Sequence, residues 1–296
     1  MSQECFTLKT EDTGVLAQLG ERYNGIVEVR GSIPLGSTKE SVSVNSLAKS
    51  FDTCSESYEI SRPGYPNAVV ELFKKNLGFG TSSKLLELAA GTGKFTDLLA
   101  QHDFAPMVTE WLPNMLKVLK SKHPKLSSVI SRAEDIPFKD NIFDGVLVAQ
   151  AFHWFANLSA LADIARVLKQ NGYLVIIFQE RNDAVNWVHE YHKILFSYPH
   201  DEIVRFDLDK WKKVFNNQDH FSALQHQQFN YSHHFFKETL THRALGMSFI
   251  AALPDHKKQE VAQQMKNLCT THEQLKNHEV IEFPYITHVY WAKVLK

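Results

Sequence analysis

Cysteine is scarce. Cys5, Cys54 and Cys269 are the three in 296 residues, too few and too scattered for a disulfide framework, and no C-x-x-C pair offers a zinc site. An excess of either charge is also missing: 32 Lys and Arg face 33 Asp and Glu, and the pI is near 7.0. That balance removes the electrostatic footprint of a nucleic-acid or anionic-membrane binder. No apolar run approaches the length of a membrane span, and the N-terminus lacks the apolar core of a signal peptide. Internal repeats and low-complexity tracts are absent too. What is present, 44% hydrophobic and 22% charged residues, is ordinary globular composition on a chain long enough to bury a substantial core. The expectation is a cytoplasmic protein with reduced thiols, no membrane span and no nucleic-acid partner.

The first fifty residues show no sustained period. Residues 15–39 are similar to the translation of a transfer-RNA gene, which leaves two readings open, a misassigned gene start or a flexible extension. In both, residues 1–46 are expected to be disordered and dispensable, with the folded domain running over 47–296.

From about residue 51 the pattern becomes regular. Val69, Leu72, Phe73 and Leu77 recur at helical spacing before Gly78 and Gly80. Short apolar strands follow at 84–89, 107–110, 127–130, 143–151 and 173–178, separated by amphipathic helices through Phe95, Leu98 and Leu99, through Leu112, Met115, Leu116 and Leu119, and through Leu158, Leu161, Ala165 and Leu168. Near-continuous apolar strands alternating with helices predict a parallel sheet covered on both faces, a doubly wound α/β domain. In the tail, 184–215 and 237–275 read as helical, "LQHQQFNYSHHFF" as a strand, and "VIEFPYITHVYWAKVL" as one or two strands. Pro284 predicts that the last of these lies at a sheet edge or begins after a bend.

"KLLELAAGTGKF", residues 84–95, is where chemistry enters. In doubly wound sheets a ligand lies at the carboxyl ends of the strands, where the first loop must let backbone N–H groups come close. Ala89, Ala90, Gly91 and Gly93 are small enough for that. Nineteen residues beyond Gly91, Glu110 ends the second strand as an acceptor-only group suited to the paired hydroxyls of a ribose. A dinucleotide fingerprint would place Gly or Ala at position 96, where this chain has Thr96. Glu87 brings negative charge to where a pyrophosphate would lie, which suits an ammonium group better. S-adenosylmethionine, with an ammonium, a ribose, an adenine and no phosphate, fits this loop better than NAD.

"LLELAAGTGKF" resembles the first motif of the class I S-adenosylmethionine-dependent methyltransferases, commonly E/D-x-G-x-G-x-G, with Ala89 replacing the first glycine. "TEWLPNML" (109–116) resembles the family's second-strand acid and following helix, which extends the cofactor set to Trp111. "SRAEDIPF" (131–138) resembles its adenine-binding turn, implying that Ala133 and Glu134 border the base. "FDGVLVAQAFHWF" (143–155) is similar to its fourth strand, placing Gln150 and Trp154 at the crevice. "YEISRPGYP" (58–66) is similar to a covering segment of the branch that contains the trans-aconitate methyltransferases. The resemblance implies a Rossmann-like, mostly parallel seven-stranded sheet with a helical cap drawn from 51–66 and 181–275, and a methyl transfer to a small-molecule acceptor, first of all a carboxylic acid.

Methyl transfer is an in-line displacement, so holding the reactants in a row supplies much of the rate, on the order of 7–11 kcal/mol. A base is needed only where the nucleophile loses a proton. His153 is the candidate for positioning or proton transfer. Trp154 either flanks the cofactor, whose sulfonium is drawn to a ring face, or packs in the core. Tyr58, Arg62 and Tyr65 form a candidate lid in which Arg62 meets a carboxylate or stays on the surface. Arg181 and Trp187 are further pocket candidates. The scattered histidines, His233 and His234 among them, lack metal-ligand spacing, so no metal is expected. The competing functional readings are a non-catalytic cofactor-binding relative and an NAD-dependent oxidoreductase.

Overall fold

The computed structural model describes residues 62–198, 210–251 and 253–296. The expectations for residues 1–46, and for Tyr58 and the rest of the lid up to residue 61, fall outside the described residues.

The chain alternates as its apolar pattern dictates. Helix α1 (Ala68–Asn76) buries Val69, Val70, Leu72 and Phe73, and Gly78, at φ 70°, turns the chain so that the Phe79 N–H returns to the Phe73 carbonyl at 3.1 Å. Strand β1 (Leu85–Leu88), helix α2 (Lys94–Gln101), strand β2 (Met107–Thr109), helix α3 (Pro113–Lys122) and strand β3 (Ser128–Val129) follow. Proline opens α3, where its missing N–H has no helical partner to lose. Strand β4 (Phe143–Ala149), a short 3₁₀ turn (Phe152–Trp154) and helix α4 (Leu158–Val167) come next. Asn157 caps α4, its side chain accepting from the Ala160 N–H at 2.9 Å. Strand β5 (Leu168–Arg181) then leads to helix α5 (Asn186–Phe196), a 3₁₀ segment (Lys210–Asn217), strand β6 (Gln225–Phe236), helices α6 (Thr239–Leu245), α7 (Ser248–Ala251) and α8 (Asp255–Thr271), and strand β7 (Val280–Lys293).

Seven strands form one sheet in the order β3-β2-β1-β4-β5-β7-β6. The first five are parallel, whereas β7 runs antiparallel to both β5 and β6. Successive side chains divide the core with a period of two. Leu86, Val146, Val148, Leu174 and Ile176 face the side covered by α4, while Leu85, Leu147, Val175 and Ile177 face α1 and α2. A third cluster, from Trp187 and Tyr191 through Val261 and Met265 to Phe283, joins α5, α6 and α8 to one end of β7. This helical cap stands on the carboxyl side of the sheet, the side on which the crevice opens. Strand order reverses between β1 and β4, so that crevice lies at their carboxyl ends.

Three expectations are corrected. Pro284 does not mark an edge: β7 lies between β5 and β6, and β6 is the edge strand. The proline is tolerated because β5 pairs with β7 only as far as Arg181 opposite Tyr285. Its carbonyl still accepts from the Asn182 N–H at 2.9 Å, and the missing donor falls just beyond that ladder. The fifth strand begins at Leu168 rather than Tyr173, with a register irregularity between Phe143 and Gly145 and Asn171 at φ 67°. The helical stretch 237–275 is three helices, broken at Gly246 and Pro254.

Candidate active site

A cavity of about 740 Å³ opens at the strand-order reversal. The glycine loop supplies its floor. Ala89 at φ 52°, Gly91 at φ 59° and Gly93 at φ 85° carry the chain from β1 into α2 through left-handed conformations. For Ala89 that conformation costs roughly 1–2 kcal/mol, which a glycine would avoid. Gly93 does not line the cavity. It serves the loop from behind, where a Cβ would come within 2.9 Å of Leu119 Cγ.

Glu110 clasps this loop. Its Oε2 accepts from the Gly91 N–H and its Oε1 from the Leu112 N–H, each at 2.8 Å. The same carboxylate lines the cavity. Glu87, one strand away, is fully buried. Thr96 donates its hydroxyl to Glu87 Oε2 at 2.8 Å, while Glu87 Oε1 has no partner among the described residues. Burial pushes this carboxyl up to about 8, against the opposing hydrogen bond from Thr96. The negative charge expected there is therefore conditional on a cation arriving. Thr92 and Ser131 also present buried hydroxyl oxygens without partners to the same cavity.

The opposite wall comes from β2, β4 and the loop after β3. Trp111 carries the Arg132 guanidinium over its ring at 5.3 Å, and Ala133 and Glu134 follow on the same loop. Glu134 accepts from Asn157 Nδ2 at 3.2 Å. Arg166 holds this loop in place: it donates to the carbonyls of Ile136 and Phe138 at 2.8 and 2.7 Å and to Asp163 at 2.6 Å. Gln150, at φ 59° just past β4, donates from Nε2 to the Gln179 carbonyl at 2.8 Å. His153 lies tilted against Trp154 and Phe178, with centroids at 4.7 and 5.7 Å, and burial lowers it to about 4. It is a neutral ring at physiological pH, better suited to orienting a partner than to taking up a proton.

The cap closes the far end. Arg62 and Tyr65 line it, with Tyr65 edge-on to Phe95 at 5.1 Å. The Arg181 guanidinium lies 5.6 Å from the Tyr191 ring centroid and 3.7 Å from Met247 Sδ. The sequence did not point to Arg243, Tyr191, His192, Asp183 or Tyr285, which line this end as well. They come from the aromatic-rich tail, where no local motif separates a pocket residue from a packed one. Trp187 is not part of the cavity. It is buried edge-on against Phe283 at 4.7 Å.

Comparison with known proteins agrees with this arrangement. A family model described as a methyltransferase domain matches residues 86–176. An uncharacterized methyltransferase-like protein of Schizosaccharomyces pombe is 35% identical over 240 residues, spanning 81% of this chain and 93% of its own length. The chain belongs to the class I S-adenosylmethionine-dependent methyltransferases. An uncharacterized methyltransferase of Mycobacterium tuberculosis is 28% identical over 241 residues, or 81% of this chain and 94% of its own. A solved structure with a provisional type II methyltransferase assignment, from Anaeromyxobacter dehalogenans, shares the fold with a TM-score of 0.56 at 17% identity, over 78% of this chain and 97% of its own. The cofactor of this methyltransferase is S-adenosylmethionine, and the residues present fit it. A buried carboxyl oxygen awaits a donor at Glu87, and Glu110 lines the cavity beside the glycine loop. Among the described residues, no helix is long and apolar enough to cross a membrane.

Proposed function

We propose that this methyltransferase transfers the methyl group to a small acid held in the capped cavity. The observation that carries the reading is the pair Arg181 and Arg243. Both line the cavity, and among the described residues neither has a carboxylate partner. Arg181 meets Met247 and the Tyr191 ring, and Arg243 meets the Phe235 ring and His233. Two guanidinium groups left un-neutralised in one cavity select an anion. The enclosing cap supports a small acceptor, and the resemblance of residues 58–66 to the trans-aconitate branch supports a carboxylic acid.

In this reading Glu87 meets the cofactor's ammonium, Glu110 its ribose hydroxyls, and Ala89 and Gly91 allow the backbone to approach. Trp111, Ala133 and Glu134 border the adenine, with Gln150 and Trp154 along the crevice. Bound there, S-adenosylmethionine supplies an electrophilic methyl group on a sulfonium. His153 orients, Arg62 and Tyr65 cover, and Arg181 with Arg243 holds the acid. The domain taken as 47–296, with 1–46 dispensable, belongs to the same reading.

Titrating the full chain calorimetrically with S-adenosylhomocysteine, and separately with NADH, tests the cofactor half. Micromolar binding of the first and none of the second is expected. Labelled methyl donor presented with small carboxylic acids tests the other half. Cofactor binding without transfer to any acid would favour a non-catalytic binding protein.

A further inference from the structure

Just past β5, Asp183 accepts from two histidine rings of α5, His192 Nδ1 at 2.6 Å and His189 Nδ1 at 3.1 Å. The two histidines differ in where they look. His192 lines the cavity together with Asp183, Arg181 and Phe196, whereas His189 does not and is half exposed. With Nδ1–H committed to the carboxylate, His192 carries its lone pair on Nε2. Among the described residues, no protein group meets that nitrogen.

A capping role for Asp183 is not supported. Val185 stands at the N-cap of α5 without a side-chain hydrogen bond, and the nearby Ala184 N–H is met by Asn182 Oδ1 at 3.2 Å. Both oxygens of Asp183 go to imidazoles instead. A cavity-lining imidazole held by a carboxylate through one nitrogen, with no protein partner at the other among the described residues, is the arrangement of a general base with its orienting group.

The reading of the site as a methyltransferase for a small acid leaves the acceptor atom open, and the following rests on that reading. We propose that His192, oriented by Asp183, takes the proton of the methyl acceptor, and that the acceptor atom is a hydroxyl, thiol or amine next to the carboxylate rather than the carboxylate oxygen. A carboxylate needs no base to accept a methyl group, so a dyad beside the arginine pair points to a different atom. The acceptor's lone pair forms the bond to the methyl carbon, and the electrons of the broken carbon–sulfur bond stay on sulfur, leaving neutral S-adenosylhomocysteine. The acceptor's proton passes to His192 Nε2, and the imidazolium formed is paired with Asp183 until it yields the proton to water at the cavity mouth.

The charged groups acting on His192 are Arg181 from the end of β5, Asp183 from the following loop and His189 from its own helix. Arg243 of α6 lines the same cavity. Burial first, and Arg181 second, lower the ring below its ordinary value against the pull of Asp183, so the base is neutral at physiological pH. Arg181 and His192 line the same cavity, which in this proposal lets an acid held by the guanidinium bring its α-substituent to the ring.

Four matched butanedioates test the inference on the full chain with labelled methyl donor: succinate, malate, aspartate and mercaptosuccinate. Transfer to at least one of the substituted acids, at ten times the succinate rate or more, is expected. His192→Asn and Asp183→Asn should each lower kcat by about 10²-fold or more, with KM changed less than about threefold. His192→Asn should remove the acid limb of the kcat profile and Asp183→Asn should move it to lower pH, while S-adenosylhomocysteine binding should be unchanged by calorimetry in both. In the free protein, Asp183→Asn should lower the His192 titration followed by NMR. Equal transfer to succinate, an unaltered kcat profile in His192→Asn, or transfer to none of the four by a protein that binds S-adenosylhomocysteine would each overturn the proposal. Failure of the unaltered protein to bind S-adenosylhomocysteine would sink the underlying reading as well, which separates the two failures.

Discussion

Gly91 and Glu110 are nineteen residues apart in sequence, yet the Gly91 N–H donates to Glu110 Oε2 at 2.8 Å. The acid at the end of β2 therefore builds the glycine loop as well as lining the cavity. Glu110→Ala removes two backbone hydrogen bonds to a charged acceptor, each worth roughly 1.5–3 kcal/mol. S-adenosylhomocysteine affinity should fall at least 100-fold by calorimetry. Glu110→Gln, keeping one acceptor oxygen, should fall less. Equal losses would mean that the carboxylate's loop-building role is not needed.

Glu87 couples the site to pH. In the folded chain it holds its proton up to about 8, against an ordinary value of 4.5. A group raised on folding contributes stability that is complete below the unfolded value and lost as pH rises through the folded one, here from about 4.5 to about 8. Glu87→Gln should therefore gain in thermal midpoint over the unaltered protein progressively between pH 5 and pH 8.5. Binding the cofactor's ammonium should expel the Glu87 proton, seen at pH 7 as a dependence of binding heat on buffer ionisation enthalpy. A constant difference in midpoint across that range would argue that Glu87 is ionised in the free protein.

His153 has the opposite sign. Burial holds it near 4, against 6.5 unfolded, so stability is lost as pH falls from 6.5 towards 4. His153→Asn should shallow the fall in thermal midpoint over that window. His233, also held near 4 by burial and by Arg243, keeps a share of the slope. Methyl transfer should show no limb near 6.5 assignable to His153.

The loop glycines should respond unequally to substitution. Gly93→Ala meets both a positive φ of 85° and a 2.9 Å approach to Leu119 Cγ, and should destabilise by about 2–4 kcal/mol in urea unfolding. Ala89→Gly relieves a left-handed alanine and should stabilise by about 1 kcal/mol. A neutral Gly93→Ala would mean that α3 yields at Leu119.

Arg166 reaches the site through the loop it holds. Arg166→Lys gives up the planar fork that spans Asp163 and the carbonyls of Ile136 and Phe138. A loss of about 2 kcal/mol in stability, with a several-fold weaker affinity for S-adenosylhomocysteine, is expected. Unchanged affinity at reduced stability would separate the loop's fold from its ligand role.

The sequence alone determined the elements whose signals are local. The apolar run of β1 ending in small residues, the glycine loop, the acid at Glu110 and the buried run of β4 all lie within short windows, where period, size and charge are set by neighbours along the chain. The end of the cavity proposed for the cofactor could be named for that reason. Tertiary structure decided what depends on distant partners. Pro284 lies inside the sheet because β5 stops pairing at Arg181, which no window around Pro284 reveals. Arg181 and Arg243 are 62 residues apart and meet at one cavity only because α6 packs against the end of β7. The protonation of Glu87 and the orientation of His192 by Asp183 depend on burial and on one hydrogen bond each, and both arise only when the chain has closed around them.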